Sequence, residues 1–172
     1  MKFLYFIERD TMMEQEYSSK DTSINVVNKV YKVYKFRENS RVLDYGGGKY
    51  NTNIEYMKKK NVDIVVYDKY NRDKANNSKA LRNNYYDYIV CSNVLNVIKE
   101  DEIIEEIILH MIELGKRDTI YLYAIYEGDK SGIGKATSKG YQRNQKTIYY
   151  MNMLMYYFSS VEKKNDIIIC RK

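Results

Sequence analysis

The residues best placed to do chemistry are two aspartates, Asp44 and Asp68, and the three glycines between them, Gly46, Gly47 and Gly48. The run Val42-Leu43-Asp44-Tyr45-Gly46-Gly47-Gly48-Lys49-Tyr50-Asn51 reads as a short buried strand ending in an acid, then a glycine turn, then the start of a helix. That order of parts wraps a nucleotide-like ligand at the end of a strand. Consecutive glycines let the backbone take positive φ and let a ligand approach with no Cβ in the way. The dinucleotide spacing G-x-G-x-x-G requires a third glycine where Asn51 stands, which counts against a dinucleotide. A phosphate-binding loop is also excluded, because Tyr50 follows Lys49 and no glycine stands five residues before Gly48.

Asp44 at the strand tip repels a phosphate but attracts a cation, so a sulfonium cofactor with an amino-acid tail suits the site. The elements needed to position it follow from the apolar pattern. Arg41 to Tyr45 is the first strand, about Asn51 to Lys60 a helix with Ile54 and Met57 inward, and Val62 to Tyr67 a second buried strand ending on Asp68. A strand, a helix and a strand in such a short span form a βαβ unit with parallel strands, hence an α/β fold. Ahead of it, Asp21, Thr22 or Ser23 is expected to cap a helix carrying Ile24, Val27, Val30, Tyr31 and Tyr34, which would close one side of the pocket. Residues Met1 to Lys20 have no clean period and are left unassigned.

Downstream, Lys69 to Asn84 is polar, with a short helix possible from Asp73 to Leu81. Tyr86 to Cys91 is another buried strand. The strongest periodic signal is a helix from about Glu100 to Leu114, with Ile103, Ile104, Ile107, Ile108, Met111 and Leu114 on one face and Gly115 as its stop. His110, among its glutamates, reads as a surface imidazole, and Cys91 as a core residue. A strand from about Thr119 to Tyr126 opens into a glycine- and lysine-rich loop. A helix from about Gln145 to Phe158 is expected to bury Ile148, Met151, Leu154, Met155 and Phe158, and Asp166 to Cys170 is a last strand.

The chain has 172 residues, a formal net charge of +6, no proline and two widely spaced cysteines. This bounds it to one domain, residues 1–172, with a helical lead-in over 1–40, a cofactor-binding core over 41–126 and a substrate-side loop, helix and strand over 127–172. The cysteines support neither a disulfide framework nor a zinc site, and no metal is expected. The apolar start is too short to span a bilayer, so a soluble cytoplasmic protein without a membrane partner is expected. The positive charge permits a nucleic-acid partner but also suits an ordinary solvated surface. The Tyr-, Asn-, Lys- and Ile-rich composition is that of an AT-rich coding genome, and with the compact size it suits a phage or mobile-element protein.

These residues resemble the class I, Rossmann-like S-adenosylmethionine-dependent methyltransferases. "VLDYGGGKY" is similar to the first motif of that family, V-L-D-x-G-x-G-x-G, and departs from it at the last glycine, where Tyr50 stands. "IVVYDKY" is similar to the second motif and "YDYIVCSNVLNVI" to the motif after the fourth strand of the family fold. The resemblance covers about Arg41 to Tyr126 and implies a doubly wound, mostly parallel sheet of about six to seven strands with helices on both faces. It implies S-adenosylmethionine as cofactor. Asp44 would act on the methionine amino group beside Tyr45, Gly46, Gly47 and Gly48. Asp68 would accept from the ribose hydroxyls, with Tyr67, Lys69 and Tyr70 near the adenine and Ser92, Asn93 and Val94 facing the transferred methyl. Each has a plainer reading: Asp44 as a turn cap, Asp68 as a turn carboxylate, Asn93 as a helix cap.

Asn93, Glu127 and Asp129 are the candidate catalytic residues. The loop after Tyr126 is expected to be a substrate lid, with Gly132 and Gly134 for mobility and Lys130, Lys135, Lys139, Gln142 and Arg143 as anion contacts, or else a solvated surface loop. Without proline the chain lacks the D-P-P-Y-like and Pro-Cys motifs that the resemblance associates with DNA base methylation, so a small-molecule or nucleotide-like acceptor is favoured. The alternatives are a non-catalytic cofactor-binding accessory protein and a basic α/β nucleic-acid-binding domain. Oligomeric state is left open.

Overall fold

A computed structural model describes residues 18–172, so the first part of the expected helical lead-in lies outside the described residues. A single six-stranded sheet forms the centre, built from β1 (Arg41–Tyr45), β2 (Asp63–Tyr67), β3 (Tyr86–Ser92), β4 (Gly115–Ala124), β5 (Ser160–Lys164) and β6 (Ile167–Arg171) in the order β2-β1-β3-β4-β6-β5. The first four strands run parallel, and β6 runs antiparallel to both of its neighbours, β4 and β5. Because the chain goes from β1 outward to β2 and then returns to the other side of β1 for β3, the strand order reverses at β1. That reversal opens a crevice at the carboxyl ends of β1 and β3, where the connections leave in opposite directions.

Alternation along the strands sorts the core into two layers. Val42, Ile64, Val66, Val90, Leu122 and Ile169 face α1 (Lys29–Val33) and α2 (Thr52–Lys58), packing with Val30, Tyr31 and Met57. Leu43, Ile89, Cys91, Tyr121, Tyr123 and Ile168 face the other way, toward α3 (Lys74–Ala80), α4 (Asp101–Leu114) and α5 (Thr147–Leu154). Asp44 is therefore on the face covered by α1 and α2, and Tyr45 on the opposite face. Cys91 and Cys170 are buried free thiols, as core residues should be.

Four expectations change. Residues 21–28 are not helical: the chain crosses in an irregular strap, and the helix begins only after Asn28, whose Oδ1 accepts from the Val30 amide at 3.0 Å. Asp21 is instead tied to Lys49 at 2.9 Å and Ser23, which pull its pKa down to about 2. In α5, Ile148 and Met155 are exposed, and Tyr150 fills the core with Leu154 and Phe158, because the inward stripe is set one position away. The last strand has an unexpected partner in β5, a charged edge strand joined to β6 through Asn165 and Asp166, both at positive φ, as a two-residue hairpin demands. The loop after Tyr126 contains a small hairpin of its own, β7 (Lys135–Thr137) with β8 (Gly140–Gln142).

Gly115 ends α4 for a reason the sequence pattern does not contain. Its φ is −83°, open to any residue, but a Cβ there would overlap the buried Tyr121 hydroxyl. Gly115→Ala is expected to cost about 1–3 kcal/mol of overpacking. Urea unfolding would check this, with part of the loss recovered by adding Tyr121→Phe.

Candidate functional site

The crevice is lined by the ends of β1, β2 and β3 and by the strap, and encloses about 1100 Å³ counted out to its open mouth. The glycine turn is its floor. Gly46 and Gly48 both have positive φ, +75° and +73°, and the space a Cβ would fill is taken by Val94 at Gly46 and by Ser23 of the strap at Gly48. All three glycine amides are committed to the chain: Gly46 and Gly47 donate to the Tyr67 carbonyl at 2.7 and 3.3 Å, and Gly48 to Asp68 Oδ2 at 2.9 Å. A phosphate needs amides that point at it. Here none of the three is free to do so, and the turn runs beside two carboxylates.

Asp44 is 3 % exposed and has no ion pair among the described residues. Asn53 Nδ2, from the first turn of α2, donates to its Oδ2 at 3.0 Å, and Arg72 acts on it from a distance. The Tyr31 hydroxyl is buried near it without a hydrogen-bond partner of good geometry. Burial dominates, and the carboxyl pKa rises from 3.8 to about 6. Asp68, also buried, accepts from Gly48 through Oδ2 and from the Tyr70 and Asn71 amides and the Asn71 side chain through Oδ1, at 2.9–3.0 Å. It forms the turn it sits in and still faces the crevice.

Tyr45, Tyr67, Lys69, Tyr70, Ser92, Asn93 and Val94 all line the same crevice. Tyr45 packs on Tyr67 at 4.8 Å and bonds through its hydroxyl to His110 Nδ1 at 2.8 Å. His110 is thus a half-buried bracket for Tyr45, not a free surface imidazole. Asn93 ends β3 in the left-handed region at φ 57°, its amide donating to the Ala124 carbonyl at 2.8 Å, and so makes the turn itself rather than capping a helix. Ser92 Oγ exchanges hydrogen bonds with the Asn28 side chain at 2.8 and 3.0 Å, and Asn28 N donates to Asn53 Oδ1 at 2.9 Å. One polar chain therefore runs from Ser92 through Asn28 and Asn53 to Asp44. Asn28, Asn53 and Arg72 have no spacing signature in the sequence; only the folded chain brings them to the strand ends.

Glu127 and Asp129 are not brought to the crevice. Glu127 Oε1 accepts from the Thr147 amide at 2.7 Å, which caps α5 from outside, and this with Lys130 lowers its pKa to about 2. Asp129 pairs with Lys135 at 2.6 Å and is held below the usual carboxylate range by it. The same connection turns inward through Arg143 and Asn144, both buried. Arg143 binds the Ile98 and Lys99 carbonyls, Asp101 and Tyr149, so it is structural, not an exposed anion contact. The hairpin grips the strap: Ser19 Oγ donates to the Tyr141 carbonyl and accepts from its amide at 3.0 and 2.8 Å, while the Ser19 amide donates to the Val97 carbonyl at 3.0 Å. No group of metal-binding side chains is present among the described residues. Nor is any helix among them long and apolar enough to cross a membrane.

Residues 25–153 match the family described as "Methyltransferase domain". No curated protein matches the chain. Among solved structures, the Burkholderia thailandensis 1,6-didemethyltoxoflavin-N1-methyltransferase, with 1,6-didemethyltoxoflavin and S-adenosylhomocysteine bound, aligns with a TM-score of 0.63 and 13 % identity over 78 % of this chain and 72 % of that one. Human N-acetylserotonin methyltransferase, in complex with S-adenosylmethionine, aligns at 0.53 and 15 % over 77 % and 47 %. A methyltransferase of Aquifex aeolicus aligns at 0.50 and 15 % over 82 % and 85 %. These likenesses show a shared fold.

The raised pKa of Asp44 makes a separate prediction about stability. The folded-state value is the higher one, so the fold favours the neutral acid; its contribution is complete below the unfolded value of 3.8 and is lost as pH rises through about 6. Above that the ionised group costs on the order of 3 kcal/mol. Asp44→Asn should therefore stabilise the ligand-free chain at about pH 8 by roughly 1–3 kcal/mol and flatten its stability between about pH 4 and 6. Urea titrations at the two ends of that range would show it; a destabilised variant with the slope intact would contradict it.

Proposed function

The chain belongs to the methyltransferase-domain family, and on that premise we propose that it moves the methyl group of S-adenosylmethionine to a small-molecule or nucleotide-like acceptor. The observation that carries this reading is Asp44, a carboxylate buried at the strand reversal with no ion pair among the described residues. Such a group calls for a cation from a ligand. The amino group of the cofactor is that cation.

The surrounding residues fit the rest of it. Asp44 would receive the amino group, directly or through water, beside the Gly46–Gly48 turn. Among the described residues Asp68 Oδ2 accepts only the Gly48 amide, which leaves a lone-pair direction for the ribose hydroxyls. Tyr67, Lys69 and Tyr70 line the same crevice and would lie near the adenine. When bound, the sulfonium supplies an activated methyl whose leaving group needs no acid. The chain's own part is alignment and the exclusion of water, and the strap over the crevice serves both.

Ser92, Asn93 and Val94 are the residues we place beside the acceptor, with Asn93 the candidate to orient it. Glu127 and Asp129 serve their own loop: a carboxylate held near 2 by a helix amide is a poor base at neutral pH. The connection after Tyr126 then acts on the acceptor only indirectly, by holding the strap. A small-molecule acceptor is supported by the Burkholderia neighbour, which binds one in the same fold. The net charge of +6 is assigned to surface solvation.

A thermal-shift titration tests the reading. Both S-adenosylmethionine and S-adenosylhomocysteine should raise the melting temperature, with a stabilisation of about 2.7 kcal/mol at a hundred times the dissociation constant. Asp68→Asn, which keeps one carbonyl acceptor for the turn but loses the charge, should weaken the shift markedly. A folded chain that neither compound stabilises would refute the assignment.

A further inference from the structure

Tyr50 stands where the resembled motif has its last glycine, and Asn51, the N-cap of α2, makes no capping hydrogen bond to its own helix. The turn is held from outside. Arg72 Nε donates to the Gly48 carbonyl at 2.7 Å, Nη2 to the Tyr50 carbonyl at 2.8 Å and Nη1 to Asn51 Oδ1 at 2.7 Å. On the other side of the same residue the Gly48 amide donates to Asp68. Gly48 is thus gripped at both its amide and its carbonyl by one loop. That loop is itself locked: the Arg72 amide donates to the Asp68 carbonyl at 3.2 Å, and Asn77 accepts from the Asp68 amide and donates to the Asp68 and Arg72 carbonyls. Three acceptors spread over four residues match the planar fork of a guanidinium and not the single ammonium of lysine.

We propose that Arg72 is a positioning residue for cofactor binding, a clamp that does the work of the absent glycine by fixing the turn between Asp44 and Asp68 at the span the cofactor bridges. The clamp rests on the reading of the crevice as an S-adenosylmethionine site. Arg72 has a second, separable effect, because its charge favours the ionised form of Asp44. Among the described residues the other groups facing Asp44 are Tyr31 from α1, Asn53 from α2 and Asp68 from the loop after β2, with Cys91 behind it on the opposite face of the sheet; Tyr31 and Cys91 are neutral at physiological pH, and Asp68 opposes Arg72.

Calorimetric titration of S-adenosylhomocysteine into the wild type, Arg72→Lys and Arg72→Ala, over a range of pH, separates geometry from charge. Both variants should bind roughly tenfold more weakly or worse at mildly alkaline pH. The pH below which binding fades should move upward in Arg72→Ala and stay near the wild-type value in Arg72→Lys, which keeps the charge. Arg72→Lys binding as tightly as the wild type would overturn the clamp, and decides the matter alone if Arg72→Ala does not fold. Weakened Arg72→Ala with an unmoved pH midpoint would overturn the charge effect on Asp44 and leave the clamp to be decided by Arg72→Lys. A wild type that binds no S-adenosylhomocysteine would instead remove the site assignment beneath it.

Discussion

A carboxylate buried with no counter-ion among the described residues is the constraint on which this fold turns. Asp44 follows the alternation of β1 onto the face covered by α1 and α2, so the strand that gives the sheet its centre also carries an acid into the interior. Water is excluded there, and the chain answers with an amide from Asn53 and the distant charge of Arg72, not with a paired cation. Partial compensation leaves the pKa near 6. A group so placed weakens the fold at neutral pH, a cost that a bound cation would offset.

The connections around it serve to hold that residue's surroundings still. The strap over residues 18–28 meets the glycine turn through Ser23 and Lys49, α2 through Asn25 and Thr52, and β3 through Asn28 and Ser92. At its outer end it is held by the hairpin β7–β8 and by the segment before α4. A Cβ on Gly140 would come within 2.6 Å of the Ser19 Cα, so hairpin and strap touch backbone to backbone. The long connection after β4 is therefore more ordered than its glycines and lysines suggest. Its buried Arg143 and Asn144 satisfy carbonyls and amides that would otherwise be lost inside, which is the usual requirement for a loop that runs beneath the surface.

Much of this was legible in the linear chain, and the reason is local. Short apolar runs place β1, β2, β3 and the centre of β4; the 3.6-residue period places α4; the run of glycines beside an acid marks the crevice, because strand ends, tight turns and charge are properties of neighbours in sequence. The same information placed Asp44, Asp68 and Asn93 at the carboxyl end of the sheet, where the fold has them. Weak or mixed signals misled where the deciding contact lay elsewhere. The stripe Ile24, Val27, Val30 and Tyr31 has a helical period, yet residues 21–28 are held in an irregular path by partners in the glycine turn, α2 and β3. The edge strand β5 is too polar to read as a strand until β6 pairs with it.

What the sequence determined by itself was the class of fold, the order of its central elements and the two acids that flank the glycine turn. Tertiary structure alone decided which side chains support them: Asn53 on Asp44, Arg72 on the turn that Tyr50 interrupts, His110 on Tyr45, and Glu127 on the end of a helix rather than in the crevice. Each of those is a polar contact between residues distant in the chain or on different elements. Such contacts depend on the meeting of surfaces, and no period or spacing in a single chain records which surfaces meet.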